Sequence, residues 1–282
     1  MATTTSPPGA IKLDNILNFR DVGTAINTLT STSTLNPHLL YRSARPDTAS
    51  PTDAQTLTNT LGIKSVIDLR SKTEHIEQAR KTSNTPSKIP TLTYHEISFN
   101  GTAFSLALVR RLSWSSLSRL AYLYTRGYRT DAISILGREV MAPRGLVGLG
   151  IDSLAYCTAE VKACFEVLSR EESYPVLVHC TQGKDRTGLI VLLVCLLCGA
   201  DERAIERDYI VSEGELEVEK EGRLKEIHSI GLTDEFAGCP SDWTHKMIVH
   251  INEQYGGVEK YLLRCGVMRD TQAKVKAILV KK

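Results

Sequence analysis

The sequence lacks a long apolar run, a strong excess of charge and a secretory signal pattern. Its longest apolar segment, Leu189 to Ala200, is too short for a bilayer span, which needs about 20 residues. No basic region followed by an apolar one opens the chain, so we expect a flexible tail over residues 1–12 and a cytoplasmic protein. A net charge of +2 gives no reason to expect nucleic acid or an acidic membrane as a partner of the whole molecule.

A regular cysteine framework is also missing. The seven cysteines are odd in number and irregularly spaced, which favours free thiols over disulfides in a chain without a secretory signal. Cys195 and Cys198 form a C-x-x-C pair, but they lie among leucines in a predicted helix, where packing explains them better than chemistry.

Short segments rich in valine, isoleucine, leucine and tyrosine predict four strands that mostly alternate with helices. Ser50 and Gly62 are suited to begin and end one helix, another is predicted over Asp152–Arg170, and Asp201 is suited to cap a third. We therefore expect an α/β fold, with a mostly parallel central sheet flanked by helices, in one domain over residues 13–282. The predicted strands are His38–Ser43, Ile63–Leu69, Thr91–Phe99 and Tyr174–His179.

Residues 101–150 form an unusual basic insertion. They contain seven arginines, no lysine and two acidic residues, a net charge of +5. Residues 104–124 and 131–140 predict two helices, followed by a glycine-rich stretch over residues 144–150. Two interpretations stay open: a solvated insertion, or a basic flap near the loop between Val176 and Gly188.

The segment from Val176 to Gly188 joins a predicted strand to a predicted helix. In such a loop the backbone N–H groups converge at the helix N-terminus and form an anion site, and Gly183 permits the tight turn. Cys180, at the start of the loop, gains from the same dipoles, which favour its thiolate form. We expect Cys180 to be a thiolate nucleophile at neutral pH.

Arg186 follows Cys180 by six residues, and its planar guanidinium can hold two oxygens of a phosphoryl group. Thr187 is placed to donate its hydroxyl to the sulfur. Cys164 and Arg170 have the same spacing, but they lie in a predicted helix without glycine, so we expect a core cysteine beside a surface arginine there. Only the segment at Cys180 has the context that the chemistry requires.

The loop sequence HCTQGKDRTG closely resembles the signature of the protein-tyrosine-phosphatase superfamily, in the atypical bacterial and fungal branch with tyrosine, dual-specificity and phosphoinositide phosphatases. Five other segments are similar to that branch, so the resemblance covers nearly the whole chain after the tail. They are NFRDVG (Asn18–Gly23), LYRSARPD (Leu40–Asp47), VIDLRSKTE (Val66–Glu74), DYIVSEGE (Asp208–Glu215) and YGGVEKYLLRCGV (Tyr255–Val267).

The resemblance implies a cysteine-phosphatase fold in which Cys180 forms a phosphocysteine, Arg186 binds phosphate and Asp185 is the general acid. It implies no metal and no other cofactor, and a helical lid that fits residues 101–150. The tryptophan–proline–aspartate acid loop of better-known tyrosine phosphatases is not visible in the sequence. The loop residues expected to bind substrate are Thr181, Gln182, Gly183, Lys184 and Thr187.

A second group of polar residues is expected behind the loop, out of contact with substrate. The arginines and aspartates among them act either on the site or only as an ion-pair network at strand ends. Lys184 is either solvated or a second cation for a multiply phosphorylated substrate, and Asp68 is the alternative acid if Asp185 only shapes the loop. The group comprises His179, Arg20, Asp21, Asp68 and Arg70.

The function that follows is a cysteine-dependent phosphomonoesterase. A pseudophosphatase that binds phosphorylated ligands without turnover and a rhodanese-type sulfur transferase are the alternatives. The substrate stays open among phosphotyrosine, phosphoserine or phosphothreonine in proteins, phosphoinositide lipids, and small-molecule phosphates or diphosphates.

Overall fold

A five-stranded sheet lies at the centre of this computed structural model, which describes residues 7–30, 33–82 and 88–281. The strand order is β1-β2-β5-β3-β4, with β1 antiparallel to β2 and the other neighbours parallel. The mostly parallel α/β fold expected from the sequence is confirmed. The strands are β1 (Arg20–Asp21), β2 (Leu40–Ser43), β3 (Ser65–Asp68), β4 (Thr93–Glu96) and β5 (Val176–His179).

Both faces of the sheet are covered. Because side chains alternate along a strand, Val176 and Val178 of β5 join the large hydrophobic cluster on one face, whereas Leu177 joins a smaller cluster on the other. The three central strands are fully buried. Burial on both faces explains the adjacent apolar residues within these strands, such as Val66 with Ile67 in β3 and Val176 to Val178 in β5.

Helices make up most of the remaining structure. Shorter 3₁₀ segments lie at Glu171–Ser173, Glu217–Glu219 and Asp234–Ala237, and π-helical turns at Thr56–Thr60 and Gly137–Met141. The α-helices are α1 (Val22–Thr30), α2 (Pro51–Gln55), α3 (Lys72–Thr82), α4 (Thr102–Val109), α5 (Trp114–Thr125), α6 (Arg129–Leu136), α7 (Ala142–Tyr156), α8 (Thr158–Leu168), α9 (Asp185–Leu197), α10 (Glu202–Glu215), α11 (Lys220–Ser229), α12 (Trp243–Tyr255), α13 (Val258–Arg264) and α14 (Arg269–Leu279).

Local signals placed several helix ends correctly. The Ser50 hydroxyl accepts a hydrogen bond from the Asp53 N–H in a capping box, and Asp201 caps α10 through two backbone N–H groups. Gly62 has the positive φ expected where the chain turns into β3. The single helix predicted over Asp152–Arg170 is instead two helices, because the backbone leaves helical geometry at Cys157.

The insertion at residues 101–150 is helical, but its boundaries differ from the prediction. The expected helix over 104–124 is interrupted between α4 and α5, where Ser113 begins a new helix by accepting from the Ser116 N–H. The glycine-rich stretch over residues 144–150 is helical. It forms α7, where Gly150 packs against Trp243 and Met247, with a kink at Gly145.

At the N-terminus, the predicted tail includes residues 1–6, which lie outside the described residues. Residues 9 and 10 are hydrogen-bonded to the rest of the fold. The Gly9 carbonyl accepts from the Asp21 N–H at 3.0 Å, and Ala10 forms an antiparallel β-bridge with Arg20. In the described ranges, no helix is both long and apolar enough to cross a membrane.

Candidate active site

The predicted loop leaves the carboxyl end of β5, between β2 and β3, and enters α9 at Asp185. Gly183 has a φ of +67°, and a Cβ built on it would lie 2.0 Å from the Ser43 carbonyl oxygen. Both the turn and the close approach to β2 therefore require glycine. This is the role that the sequence assigned to Gly183.

The backbone N–H groups of residues 181–187 have no hydrogen-bond acceptor in the part of the chain that the structure describes. The next N–H, that of Gly188, bonds to the Lys184 carbonyl and begins the ordinary helical pattern. A row of free amides at a helix N-terminus is a site for an anion.

Cys180 is buried at the start of this loop, and Arg186 lies in the first turn of α9. Burial by itself lowers the pKa of Arg186, but Glu74, Cys180 and Asp185 together raise it above its ordinary value. The guanidinium is therefore charged and electrostatically coupled to the sulfur.

Glu74 holds Arg186 in position. Nη1 of Arg186 donates to Glu74 Oε2 at 2.7 Å and Nη2 donates to Oε1 at 2.6 Å, while Nη1 also donates to the Leu69 carbonyl at 3.3 Å. The Nε–H and the second Nη2–H of Arg186 have no acceptor among the described residues. One edge of the guanidinium is thus fixed, and the other is available for two oxygens of a phosphoryl group.

No pattern in the sequence by itself predicts a role for Glu74. Its carboxylate also accepts from the Thr181 hydroxyl at 2.5 Å and from the Ser71 N–H at 2.9 Å. Burial by itself raises the pKa of Glu74, but Arg186 and these donors hold it well below its usual range. The only signal was its membership of the segment VIDLRSKTE, since 112 residues separate it from Arg186.

Asp185 is the most exposed of the three predicted catalytic side chains, at 39%. Tyr209 donates to Asp185 Oδ1 at 3.5 Å, and Lys184 Nζ lies 3.8 Å from the same oxygen. Neither contact is a short hydrogen bond. The carboxyl group of Asp185 therefore keeps lone pairs available for proton transfer at the loop.

Asp68 does not have the environment of an acid. Arg70 donates to both of its oxygens, and its Nη2 lies 2.7 Å from Asp68 Oδ2. Burial raises the pKa of Asp68, but His179 and Arg70 outweigh this and hold the pKa at about 2. Arg70 also binds Asp47. Asp68 is an ionised acceptor, so it is a poor alternative to Asp185.

His179 is fully buried between Asp68 and the loop. Its Nδ1 lies 3.0 Å from the Cys180 carbonyl, so this nitrogen must carry the proton and donate it to the hydrogen bond. Burial lowers the pKa of His179, and the Asp68 carboxylate opposes this shift. His179 therefore orients the backbone of Cys180 and does not contact the reacting atoms.

A buried charge network supports the other side of the loop. Asp208 accepts from Arg20 Nε at 2.6 Å and from Arg42 Nη1 at 2.6 Å. Arg42 Nη2 in turn donates to the Gly183 carbonyl at 2.7 Å. The network thus joins β1, β2 and α10 to the turn of the loop. Arg20 was expected there, whereas Arg42 and Asp208 were not singled out individually.

Asp21 does not belong to this network. Its side chain accepts from the N–H of Gly23, the hydroxyl of Thr24 and the N–H of His38. It therefore fixes the start of α1 and the entry to β2. The ion-pair network expected of Arg20, Asp21, Asp68 and Arg70 is instead three separate sets of contacts.

Lys184 also differs from its expected substrate-binding role. Its side chain is fully buried, and Nζ donates to the carbonyls of Phe236, Ala237 and Gly238 at 3.2, 3.3 and 2.7 Å. These carbonyls occupy the three ammonium hydrogens. Lys184 therefore ties the segment around residues 234–238 to the loop and is neither solvated nor available as a second cation.

The two remaining residues expected to bind substrate, Gln182 and Thr187, have different environments. Gln182 lines a small pocket with residues of α10 and α11, including Lys220 and Arg223. Thr187 is buried, and its hydroxyl has no hydrogen-bond partner among the described residues, so the expected donation to the Cys180 sulfur is not formed in this conformation. Cys164 and Arg170 have the same spacing as Cys180 and Arg186. As expected, Cys164 is buried and Arg170 is exposed.

Comparison with known proteins gives consistent matches. A model of the tyrosine phosphatase family matches residues 11–281. A tyrosine-protein phosphatase of Nostoc commune is 29% identical over 153 residues, which are 48% of this chain and 52% of the relative. The triple specificity protein phosphatase PtpB of Mycobacterium tuberculosis is 27% identical over 121 residues, 38% of this chain and 44% of the relative. The chain thus spans about half the length of these curated relatives.

Proposed function

This chain belongs to the tyrosine phosphatase family, and we propose that it is a cysteine-dependent phosphatase that hydrolyses phosphate monoesters through a phosphocysteine intermediate. The observation that carries the proposal is the free edge of Arg186, which Glu74 leaves available beside Cys180 and a row of unpaired loop amides. A guanidinium and amides together match the geometry and charge of a phosphoryl group.

In the first step, the Cys180 thiolate attacks phosphorus, and the bond from phosphorus to the ester oxygen breaks. Negative charge spreads over the three equatorial oxygens, where Arg186 and the amides of residues 181–187 are prepositioned to stabilise it. Asp185 gives its proton to the departing oxygen. The products are an alcohol or phenol and a phosphocysteine.

In the second step, water attacks the phosphocysteine. Asp185, now a carboxylate, takes a proton from that water, and the bond between sulfur and phosphorus breaks. Inorganic phosphate leaves, and the Cys180 thiolate and the Asp185 acid are restored. Apart from water, the chain and its substrate supply every group in this proposed cycle.

We propose phosphotyrosine as the first substrate class to test. The names of the two relatives, a tyrosine-protein phosphatase and a triple specificity protein phosphatase, support this choice. Phosphoserine, phosphothreonine, phosphoinositide and small-molecule phosphates or diphosphates belong in the same panel, because the loop recognises the phosphoryl group that they share.

The direct experiment compares wild-type protein with Cys180→Ser on para-nitrophenyl phosphate. We expect loss of turnover with retained phosphate binding, because a serine hydroxyl without an adjacent base is a weak nucleophile. Rapid quenching with labelled substrate should trap a phosphoenzyme in the wild type. Cys164→Ser is the matched control, since that thiol is buried in the core away from the loop.

Two outcomes contradict the proposal. Wild-type protein that binds phosphate but turns over none of the esters is a pseudophosphatase. Wild-type protein that transfers sulfur from thiosulfate, and leaves the esters unchanged, is a sulfur transferase.

A further inference from the structure

Helix α5, Trp114–Thr125, has no buried residue along its length. Of the ten large apolar side chains that are exposed within the described residues, six lie between residues 101 and 150. Trp114 is 88% exposed, whereas Trp243, the other tryptophan, is 2% exposed. Tryptophan is among the residues that are most buried on average, so such exposure needs a physical reason.

The helical repeat separates two faces of α5. Leu117, Leu120 and Leu123 are half-buried and lie together on the inner arc. The outer arc carries Trp114 and Tyr122, and Tyr122 is 58% exposed. The aliphatic residues thus pack inward, and the aromatic residues with polar groups face outward.

Arginine accompanies the aromatic side chains. Arg119 and Arg126 are seven residues apart, so they lie on the same side of the outer arc. The Arg126 guanidinium lies 5.6 Å from the centroid of the Tyr122 ring. In the part of the chain that the structure describes, neither arginine forms an ion pair, and α5 contains no acidic residue. The face is therefore basic as well as aromatic.

We propose that this outer face of α5 binds an anionic lipid surface. Tryptophan and tyrosine favour the boundary between lipid headgroups and acyl chains, because their rings are apolar and their polar atoms remain hydrated. Arginine at the same depth is attracted to anionic headgroups. Trp114, Tyr122 and Arg126 supply both contributions on one face.

Size and shape favour a lipid surface over a protein partner. A helix of 12 residues is about 18 Å long. A stable protein interface buries about 800 Å² on each partner, which is more than one side of a helix of this length provides. A lipid surface requires no complementary pocket, and it accepts a single convex helix. This inference does not depend on the proposed phosphatase activity.

The test uses vesicles of phosphatidylcholine with and without phosphatidylserine. Because Trp243 is buried, a change in tryptophan emission on vesicle addition reports mainly on Trp114. We expect a blue shift and co-sedimentation with the anionic vesicles, both reduced by added salt. Neutral phosphatidylcholine vesicles should produce much weaker effects.

Two variants test the two contributions. The pair Arg119→Ser and Arg126→Ser should weaken binding roughly 25-fold, since each arginine near an anionic surface strengthens it about fivefold. The pair Trp114→Ser and Tyr122→Ser should weaken binding even at low salt. Neither pair removes a buried side chain, so urea unfolding should show that both fold.

Matched controls lie elsewhere on the surface. Arg203→Ser with Arg269→Ser removes two exposed arginines, and Val218→Ser with Met268→Ser removes two exposed apolar side chains. All four residues are outside the insertion, so these variants should bind anionic vesicles like the wild type. Equal weakening in controls and α5 variants would overturn the proposal.

Other results also overturn it. These are a lack of binding to anionic vesicles, or equal binding to neutral and anionic ones. A shift of tryptophan emission that grows with protein concentration without vesicles, and disappears in Trp114→Ser, would instead identify this face as a contact between two copies of the chain.

Discussion

The Glu74 carboxylate binds the Arg186 guanidinium through two hydrogen bonds of 2.6 and 2.7 Å. This contact comes from α3 and orients a side chain of α9, so two distant parts of the sequence determine where the free edge of Arg186 points. The first prediction concerns this contact.

Glu74→Gln should lower kcat/KM by about 100-fold, because a small misplacement of a group that binds the transition state costs about that factor. An amide can accept from only one side of the guanidinium, and its NH₂ group repels the other. Glu77→Gln, an exposed position on the same helix, should retain the wild-type value. Equal kcat/KM in the two variants would show that Arg186 is oriented without Glu74.

The second prediction concerns Asp185. Asp185→Asn should slow cleavage of esters with poor leaving groups by ~10²–10⁴-fold, because a positioned acid contributes that much when the departing oxygen needs a proton. Aryl esters with good leaving groups should be affected far less. Rates should be compared across a series of phenyl phosphates. If all members slow by one factor, Asp185 shapes the loop and is not the acid.

The third prediction uses two glycines with similar backbone angles. Gly183 and Gly199 have φ values of +67° and +74°, but a Cβ at Gly183 would meet the Ser43 carbonyl, whereas a Cβ at Gly199 meets nothing within 4 Å. Gly199→Ala should cost about 1–2 kcal/mol of unfolding free energy and keep the activity. Gly183→Ala should lose activity. Activity in Gly183→Ala close to that of Gly199→Ala would contradict the tight packing of the loop on β2.

The fourth prediction concerns the buried network at Asp208. Asp208→Asn should lower the free energy of unfolding by about 3–5 kcal/mol, because it leaves Arg20 and Arg42 buried without their counter-charge. Urea denaturation measures this loss. Asp201→Asn is the control, since asparagine caps a helix as well as aspartate does. A loss in Asp208→Asn no larger than in the control would mean that the network contributes little.

The fifth prediction concerns acid stability. The pKa of Asp68 is depressed to about 2 in the folded chain. A depressed carboxyl pKa contributes stability that is complete above the unfolded value near 4 and is lost as the pH falls from about 4 to about 2. Protonation of Asp68 should therefore lower the free energy of unfolding by about 2 kcal/mol over that range. In Asp68→Asn, the free energy of unfolding measured by urea denaturation should fall less steeply between these pH values than in the wild type. A fall as steep as in the wild type would refute the depressed pKa of Asp68.

The sequence determined the loop by itself because its parts are contiguous. A strand, a tight turn that needs glycine and the start of a helix fix where Cys180 and Arg186 lie relative to one another. The four predicted strands and the caps at Ser50 and Asp201 were found for the same reason, since each depends on a few neighbouring residues.

Tertiary structure decided which distant side chains complete the site. Glu74 lies 112 residues before its partner Arg186, and Asp208 lies 166 residues after its partner Arg42. No local periodicity in the sequence reveals such pairs. It also decided the role of Lys184. A lysine in a loop looks solvated or free to bind substrate, but the carbonyls of residues 236–238 satisfy its ammonium group inside the protein.

The insertion at residues 101–150 illustrates the same division. Its sequence determined that it is helical and basic, because composition and periodicity are local properties. The break between α4 and α5, and the burial of α7 against Trp243, followed from packing. Periodicity groups Trp114 and Tyr122 on one face of α5, but only the arrangement of the other elements determines whether a neighbouring helix or solvent covers that face.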